Sequence, residues 1–343
     1  FVNIGDHKGN WEWLQQEFNL CPVFVADIHS FKSISVVRGM TGLVRFLKKE
    51  QINIVQVQFR DASIAGIIAA RLSGIPAIVA ARRNQGYWIR PIDRVISSVL
   101  NRFVKIFVAN SFHTKKWVVE HEGISAERIK VIYNGVDLST FQRTPVTQRK
   151  DYRIVLGIPE NAPVVGIVAN LRPVKAIDVF IRAAALVKKD FPHTRFLIVG
   201  EGIERNKLEH LARDLNLNGC LQFLCCREDV TALFSVFDIG VLSSSSERFS
   251  NAVVEYFSAG LDVVTTDVGG CREIIDGVGS GQVVDVGDWS ALAESVKHYL
   301  QTMIIHRRNS TASVWVQKHC GIECVISQYN ELYSGLHPES SFL

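Results

Sequence analysis

Long apolar runs are missing from this 343-residue chain: no stretch approaches the ~18 uninterrupted apolar residues of a membrane-spanning helix. The most apolar segment, Ile64 to Leu72, is interrupted by Arg71 and reads as a buried helix. The chain opens on Phe1 with no basic stretch leading into an apolar one, so no signal peptide is expected. Cysteine is sparse and scattered: seven residues, an odd number, with no C-x-x-C. Cys320 and Cys324 alone are too few for a metal site, and idle thiols in a reducing, cytoplasmic compartment are expected. No G-x-G-x-x-G follows a strand with an acidic residue ~20 positions later, which excludes a nicotinamide-dependent dehydrogenase. Repeats and low-complexity tracts are also absent. At 47% hydrophobic and 21% charged, the chain is not disordered.

What is present is uneven charge. Residues 1–150 hold 21 Lys+Arg against 11 Asp+Glu, a balance of +10, whereas the remainder has 17 against 23, a balance of −6. A basic half either meets something anionic or merely solvates helix faces. An anionic membrane surface fits, giving a cytoplasmic protein peripheral on the inner face of the membrane. Nucleic acid does not fit, because aromatics are not interleaved with the cations on a recognisable module.

Short β-branched runs alternate with helical patterns, the mark of parallel βα units. In the first half, Ile54–Phe59, Ala77–Ala81, Ile106–Asn110 and Ile129–Tyr133 read as strands. Asp61 is expected to cap a helix ending at Gly74, and Ser111 one ending at Gly123. Between Thr140 and Pro163 periodicity lapses, which places an interdomain linker there. Strands resume at Val164–Ala169, Arg195–Val199, Leu221–Leu224, Ile239–Ser243 and Val263–Thr266. Ile177, Phe180, Ile181, Ala184 and Val187 line one face of a helix. Two doubly wound α/β sheets follow, covering residues 1–149 and 150–343, and ligands in such sheets sit beyond the carboxyl ends of the strands.

The segment Ser243 to Glu255 carries the most chemistry. Glu247 lies in a loop after a strand, and Ser250 caps the helix bearing Glu255. A helix N-terminus favours a phosphate, and carboxylates beside it can accept hydrogen bonds from sugar hydroxyls. Taken alone, the two glutamates read equally as a surface turn and a surface ion pair. With Ala259-Gly260 and Asp267-Val-Gly269-Gly270-Cys-Arg-Glu273 behind it, this E-x₇-E resembles the donor signature of the family 4 (group 1) retaining glycosyltransferases of the GT-B fold. Asn134-Gly135-Val-Asp137 with Phe141, Asn170-Leu-Arg172-Pro-Val-Lys175, Gly200-Glu-Gly202 and Phe223 to Asp229 resemble other family segments, in the family's order.

The resemblance implies two Rossmann-like domains facing each other across a cleft, the first binding acceptor and the second nucleotide-sugar, with the last helix packing back on the first domain. It also implies a chain truncated at its start, lacking the first βα unit. Arg172 and Lys175 would hold the diphosphate, Glu247 the sugar hydroxyls and Glu255 the ribose. Phe249, Ser250 and Asn251 would face sugar and phosphates, Gly200 and Gly202 would pass near the nucleotide, and Arg227 would lie near the base. The implied reaction is metal-independent, retaining transfer to a glycan, lipid-linked or small-molecule acceptor, without cofactor, in envelope, lipopolysaccharide or exopolysaccharide assembly. A degenerate member that binds without turnover is the alternative. It is motivated by Ala176 and Arg248 at habitual glycines, Asp262 at a habitual proline and the missing first unit; Cys225 also stands where glycine is common. On the acceptor side, Arg83, Asn84 and Tyr87 form either a loop over the cleft or a basic surface loop. His113 is either an acceptor contact or an ordinary helix-start residue.

Overall fold

A computed structural model describes residues 2–4, 24–26, 35–83, 91–142, 146–227, 229–302 and 310–336. The chain forms two compact units, Phe1–Ile132 with Gln328–Leu343, and Tyr133–Ser327.

In the first unit, β1 (Val2–Ile4) pairs in parallel with β2 (Phe24–Ala26). The main sheet contains β3 (Ile54–Val57), β4 (Ala77–Arg82), β5 (Ile106–Ala109) and β6 (Ile129–Val131), parallel and in sequence order. The helix Arg60–Ser73 ends at Gly74 in the left-handed conformation, and Phe112–Glu122 is capped by Ser111, whose side chain accepts from the Thr114 amide at 2.9 Å. Asp61 does not cap its helix. The turn begins one residue earlier, at Arg60, and Asp61 falls within it.

The second unit holds six strands: β7 (Val164–Val168), β8 (Arg195–Val199), β9 (Leu221–Leu224), β10 (Ile239–Leu242), β11 (Asp262–Thr266) and β12 (Gln282–Val284). Their spatial order is β12-β11-β10-β7-β8-β9, all parallel. This is the doubly wound order, reversing between β7 and β10. Both faces are buried, as parallel sheets require. Leu197 and Val199 join one core with Phe234, Phe237 and Phe257, while Phe196 and Ile198 join the other with Phe180.

At the reversal, β7 and β10 pair only at Val165–Gly166 and Ile239–Gly240 before diverging. The fully buried Tyr256 fills the gap: its hydroxyl accepts from the Val168 amide at 2.8 Å and donates to the Val241 carbonyl at 3.2 Å. Gly240 makes room for the ring, since a Cβ there would stand 2.4 Å from it.

The segment read as a linker is structured and belongs to the second unit. It carries a helix, Val146–Val155, whose Arg149 pairs with Asp238 at 2.8 Å and whose Tyr152 hydroxyl donates to Asp229 at 2.8 Å. The unit boundary therefore falls at Ile132/Tyr133, ahead of the 149/150 expected from composition. Polar anchoring of this kind leaves no hydrophobic periodicity to read.

Candidate functional site

The reversal of strand order opens the carboxyl edge of the second sheet, and two loops meet there. Beyond β7 the chain runs through Ala169–Arg172 into a 3₁₀ turn, Pro173–Lys175. Ala176 then adopts a left-handed conformation (φ 44°, ψ 47°), at a cost of about 1–2 kcal/mol for a residue with a Cβ. The turn thus survives the loss of the habitual glycine. Beyond β10, the serine run stitches one loop to the other. Ser243 Oγ donates to the Lys175 carbonyl at 3.0 Å, and the Ser245 amide donates to the Val174 carbonyl at 2.8 Å.

This stitching brings Lys175 Nζ to 2.5 Å from Glu247 Oε1, although the two are far apart in sequence. Ser244 Oγ donates to the same oxygen at 2.8 Å. Both contacts fall on Oε1, and among the described residues Oε2 takes no hydrogen bond, which leaves it to accept from a ligand hydroxyl. Arg172, exposed at the start of the same turn, makes no ion pair among the described residues.

Ser250 caps the helix Asn251–Ser258, accepting from the Val253 amide at 3.4 Å. The exposed Asn251 takes a hydrogen bond on its side-chain oxygen from Asn134 Nδ2 at 2.9 Å. That bond leaves the Asn251 amide nitrogen as a donor at the helix tip. Phe249 is buried and stacks on Tyr133, with ring centroids 5.3 Å apart. It therefore supports the loop from beneath, and only its backbone can face a ligand. Arg248 is likewise buried, its carbonyl accepting from the Gly270 amide at 2.7 Å, and its backbone φ is not positive. Glycine is not conformationally required there. Glu255 is half-buried without a hydrogen-bonding partner among the described residues, and desolvation pushes its carboxyl above the ordinary range.

Gly200 and Gly202 serve the protein's own backbone. Gly200 has φ 139°, and a Cβ there would stand 2.1 Å from the Ala169 carbonyl oxygen; at Gly202 it would stand 2.3 Å from that of Leu171. The strand-end loops of β7 and β8 pack so closely that no side chain fits between them. Arg227 follows β9, two strands from β7 or about 10 Å across the sheet. Its guanidinium makes a two-pronged contact with Asp229 at 2.7 Å, which holds the Asp229 carboxyl down at about 2. Any ligand contact by Arg227 must share it with this carboxylate.

In the first unit, Arg83 is exposed after β4 and His113 is exposed in the first turn of its helix. Asn84 and Tyr87 lie outside the described residues. Gln56 accepts from the Tyr333 hydroxyl at 2.7 Å, which ties β3 to the final helix. Among the described residues no cluster of three or more His, Cys, Asp or Glu could hold a metal, and no helix is long and apolar enough to cross a membrane. Sequence reasoning missed Tyr256, Asn134 as a partner of Asn251, and the hold of Asp229 on Arg227. Only the last had a usable signal, the i, i+2 spacing of opposite charges across a strand-end turn.

Two family models match. That described as "Glycosyl transferases group 1" covers residues 148–312, and that described as "Glycosyltransferase Family 4" covers residues 15–140. Over 272 residues the chain is 28% identical to the UDP-Gal:alpha-D-GlcNAc-diphosphoundecaprenol alpha-1,3-galactosyltransferase of Escherichia coli, covering 75% of this chain and 69% of that one. It is 34% identical over 184 residues to a D-inositol 3-phosphate glycosyltransferase of Corynebacterium urealyticum, covering 50% of this chain and 43% of that one. The fold matches that of Anabaena Alr3699/HepE, crystallised in complex with UDP, with a TM-score of 0.86 at 22% identity over 97% of this chain and 92% of that one.

Proposed function

Since the chain belongs to the family 4, group 1 glycosyltransferases of the GT-B fold, we propose that it moves a sugar from a nucleotide-diphosphate donor bound by its second unit to a glycan, lipid-linked or small-molecule acceptor. The observation that carries this reading is the meeting of Lys175 and Glu247 at the strand reversal, beside the capped tip of the helix Asn251–Ser258. The residues follow the carboxyl edge strand by strand: Arg227 after β9, Gly200 after β8, Arg172 and Lys175 after β7, Glu247 after β10. An elongated ligand with base, diphosphate and sugar suits that line.

Arg172, Lys175 and the helix tip neutralise the diphosphate, and Glu247 accepts hydrogen bonds from the sugar. As the bond between the anomeric carbon and the phosphate oxygen breaks, negative charge grows on the departing diphosphate, where fixed cations contribute most. The acceptor hydroxyl attacks from the face the leaving group vacates, so configuration is retained and no protein nucleophile takes part. These cations and the helix dipole supply the positive charge, so the reaction needs no metal. Envelope or exopolysaccharide assembly is the setting we assign, on the cytoplasmic side.

A mass-spectrometric screen of nucleotide-sugars, read for transfer or for release of nucleoside diphosphate, tests this reading beside isothermal titration with the diphosphates. Release of diphosphate supports turnover. Binding without release leaves only a nucleotide-sugar-binding protein, and absence of binding removes the donor site altogether.

Glu255, assigned to the ribose, offers a separate check. A carboxyl whose pKa is raised in the folded state stabilises the fold below its unfolded value, here 4.5, and that contribution is lost as pH rises through the folded value. At neutral pH, Glu255→Gln is therefore expected to raise the melting temperature of the free protein, by about 2–4 °C for each kcal/mol of desolvation relieved. The same change weakens nucleoside-diphosphate affinity roughly tenfold or more, through loss of a charge-assisted hydrogen bond. A rise in stability with unchanged affinity removes Glu255 from the site.

A further inference from the structure

The segment that opens the second unit grips the loop after β10 with two successive side chains. Tyr133 stacks on Phe249, with ring centroids 5.3 Å apart, and Asn134 Nδ2 donates to Asn251 Oδ1 at 2.9 Å. The two residues gripped, Phe249 and Asn251, flank the cap residue Ser250. One hold is apolar and the other polar, and both act at the tip of the helix Asn251–Ser258.

The gripping segment is itself anchored from behind. The Tyr133 ring also lies against Trp315, with centroids 6.2 Å apart, and a Cβ at Gly277 would stand 2.5 Å from that tryptophan. The Tyr133 hydroxyl donates to the Glu273 side chain. Further on, the Val136 amide donates to the Cys320 carbonyl at 2.8 Å, and the Ile322 amide to the Val136 carbonyl at 3.1 Å. Between these holds Gly135 passes so close to Ile322 that a Cβ would stand 2.7 Å from its Cδ1. Asn134 therefore reaches Asn251 from a backbone pinned on both sides.

Stability gives no reason for an asparagine at this place. The Asn134 φ is not positive, so no left-handed turn calls for it. Its bond to Asn251 is exposed, whereas its own Oδ1 is buried with no partner among the described residues. An orphaned buried acceptor ordinarily destabilises by more than one exposed hydrogen bond stabilises. Asn251 supplies the missing reason. An amide side chain carries an acceptor on one side and two donors on the other. With its oxygen held by Asn134, Asn251 turns its nitrogen away, and at a helix tip that nitrogen suits a phosphate oxygen. A freely rotating amide would present its oxygen as readily, and oxygen repels phosphate.

We propose that Asn134 is a positioning residue for a bound diphosphate: by holding Asn251 Oδ1 it fixes which end of that amide faces the ligand. The role rests on the donor-site reading, and titration separates the two. The full chain is titrated calorimetrically with UDP, ADP and GDP, as wild type, Asn134→Ala, Asn251→Ala and the double variant. Asn251→Ala is expected to weaken binding about tenfold, through loss of a donor to a charged oxygen. Asn134→Ala is expected to weaken it about three- to tenfold, with a melting temperature at or above that of the wild type. In the Asn251→Ala background, Asn134→Ala is expected to change affinity no further, because it acts only through Asn251.

Asn134→Asp keeps the shape but offers only acceptors. It draws the Asn251 nitrogen inward, turns the oxygen outward, and is expected to lose more affinity than Asn134→Ala. Wild-type affinity in both Asn134 variants overturns the role while leaving the donor site standing. So does a lowered melting temperature with unchanged affinity, the mark of a merely structural asparagine, and so does an equal loss from Asn134→Ala in both backgrounds. Asn251→Ala that binds as tightly as wild type also overturns it. Wild-type protein that binds none of the three nucleotides removes the donor site and the role together.

Discussion

Lys175→Ala is expected to lower turnover about a hundred- to a thousandfold while leaving the unfolding midpoint near that of the wild type. The rate loss follows from removing a fixed cation at the point where the leaving diphosphate gains charge. Stability changes less than the rate because the pair is not fully buried, with side chains 26% and 15% exposed, and Glu247 keeps its hydrogen bond from Ser244 when the lysine is removed. Glu247→Ala is expected to act on a similar scale by freeing the sugar to rotate and leaving the lysine without its anchor. The two residues share one contact, so the double variant should fall short of the product of the single losses. Initial-rate kinetics on the three proteins checks this. Near-wild-type turnover in either single variant removes that residue from the proposed machinery, and strict multiplicativity means that the pair does not act as a unit.

Gly200→Ala is expected to cost several kcal/mol of stability in the protein without nucleotide. Two causes combine. The backbone at φ 139° lies where side chains are rarely tolerated, and the new Cβ would press on the Ala169 carbonyl oxygen at 2.1 Å. That oxygen belongs to the loop that becomes the turn bearing Lys175, so relief of the overlap displaces the cation as well. Denaturant unfolding of the free protein separates this account from the simpler one in which glycine merely gives a ligand access. If ligand access were the reason for glycine, free-protein stability would be unchanged and only nucleotide affinity would fall.

Much of the fold was legible because its signals are local. β-branched runs, the Ser111 and Ser250 caps and the left-handed Gly74 and Gly123 depend on neighbours a few residues away. The candidate residues could be named as a set through resemblance of the motifs, but their contacts could not be read. Lys175 meets Glu247 only because the strand order reverses between β7 and β10, and that order is a property of topology, not of spacing. The same holds for Asn134, near the start of the second unit, and Asn251, the first residue of the helix Asn251–Ser258, which are 117 residues apart in the chain. Gly200 and Gly202 invited a ligand-centred explanation because glycine beside a strand end reads alike whether the intruder is a phosphate or another loop. The helix Val146–Val155 escaped notice because its hold on the sheet is polar, through Arg149 and Asp238.

Tyr256 has a consequence for how the proposed donor site can respond to a ligand. One phenol oxygen fastens the strand before the cation turn to the strand before the acidic loop, and the residue just ahead of it in the chain is Glu255. The helix therefore cannot slide or roll without surrendering two hydrogen bonds at once. The two strand ends and the helix form a single stiff block, shaped before any guest arrives, and a donor bound there as proposed would leave adjustment to side chains that stand clear of it, the exposed Arg172 first among them.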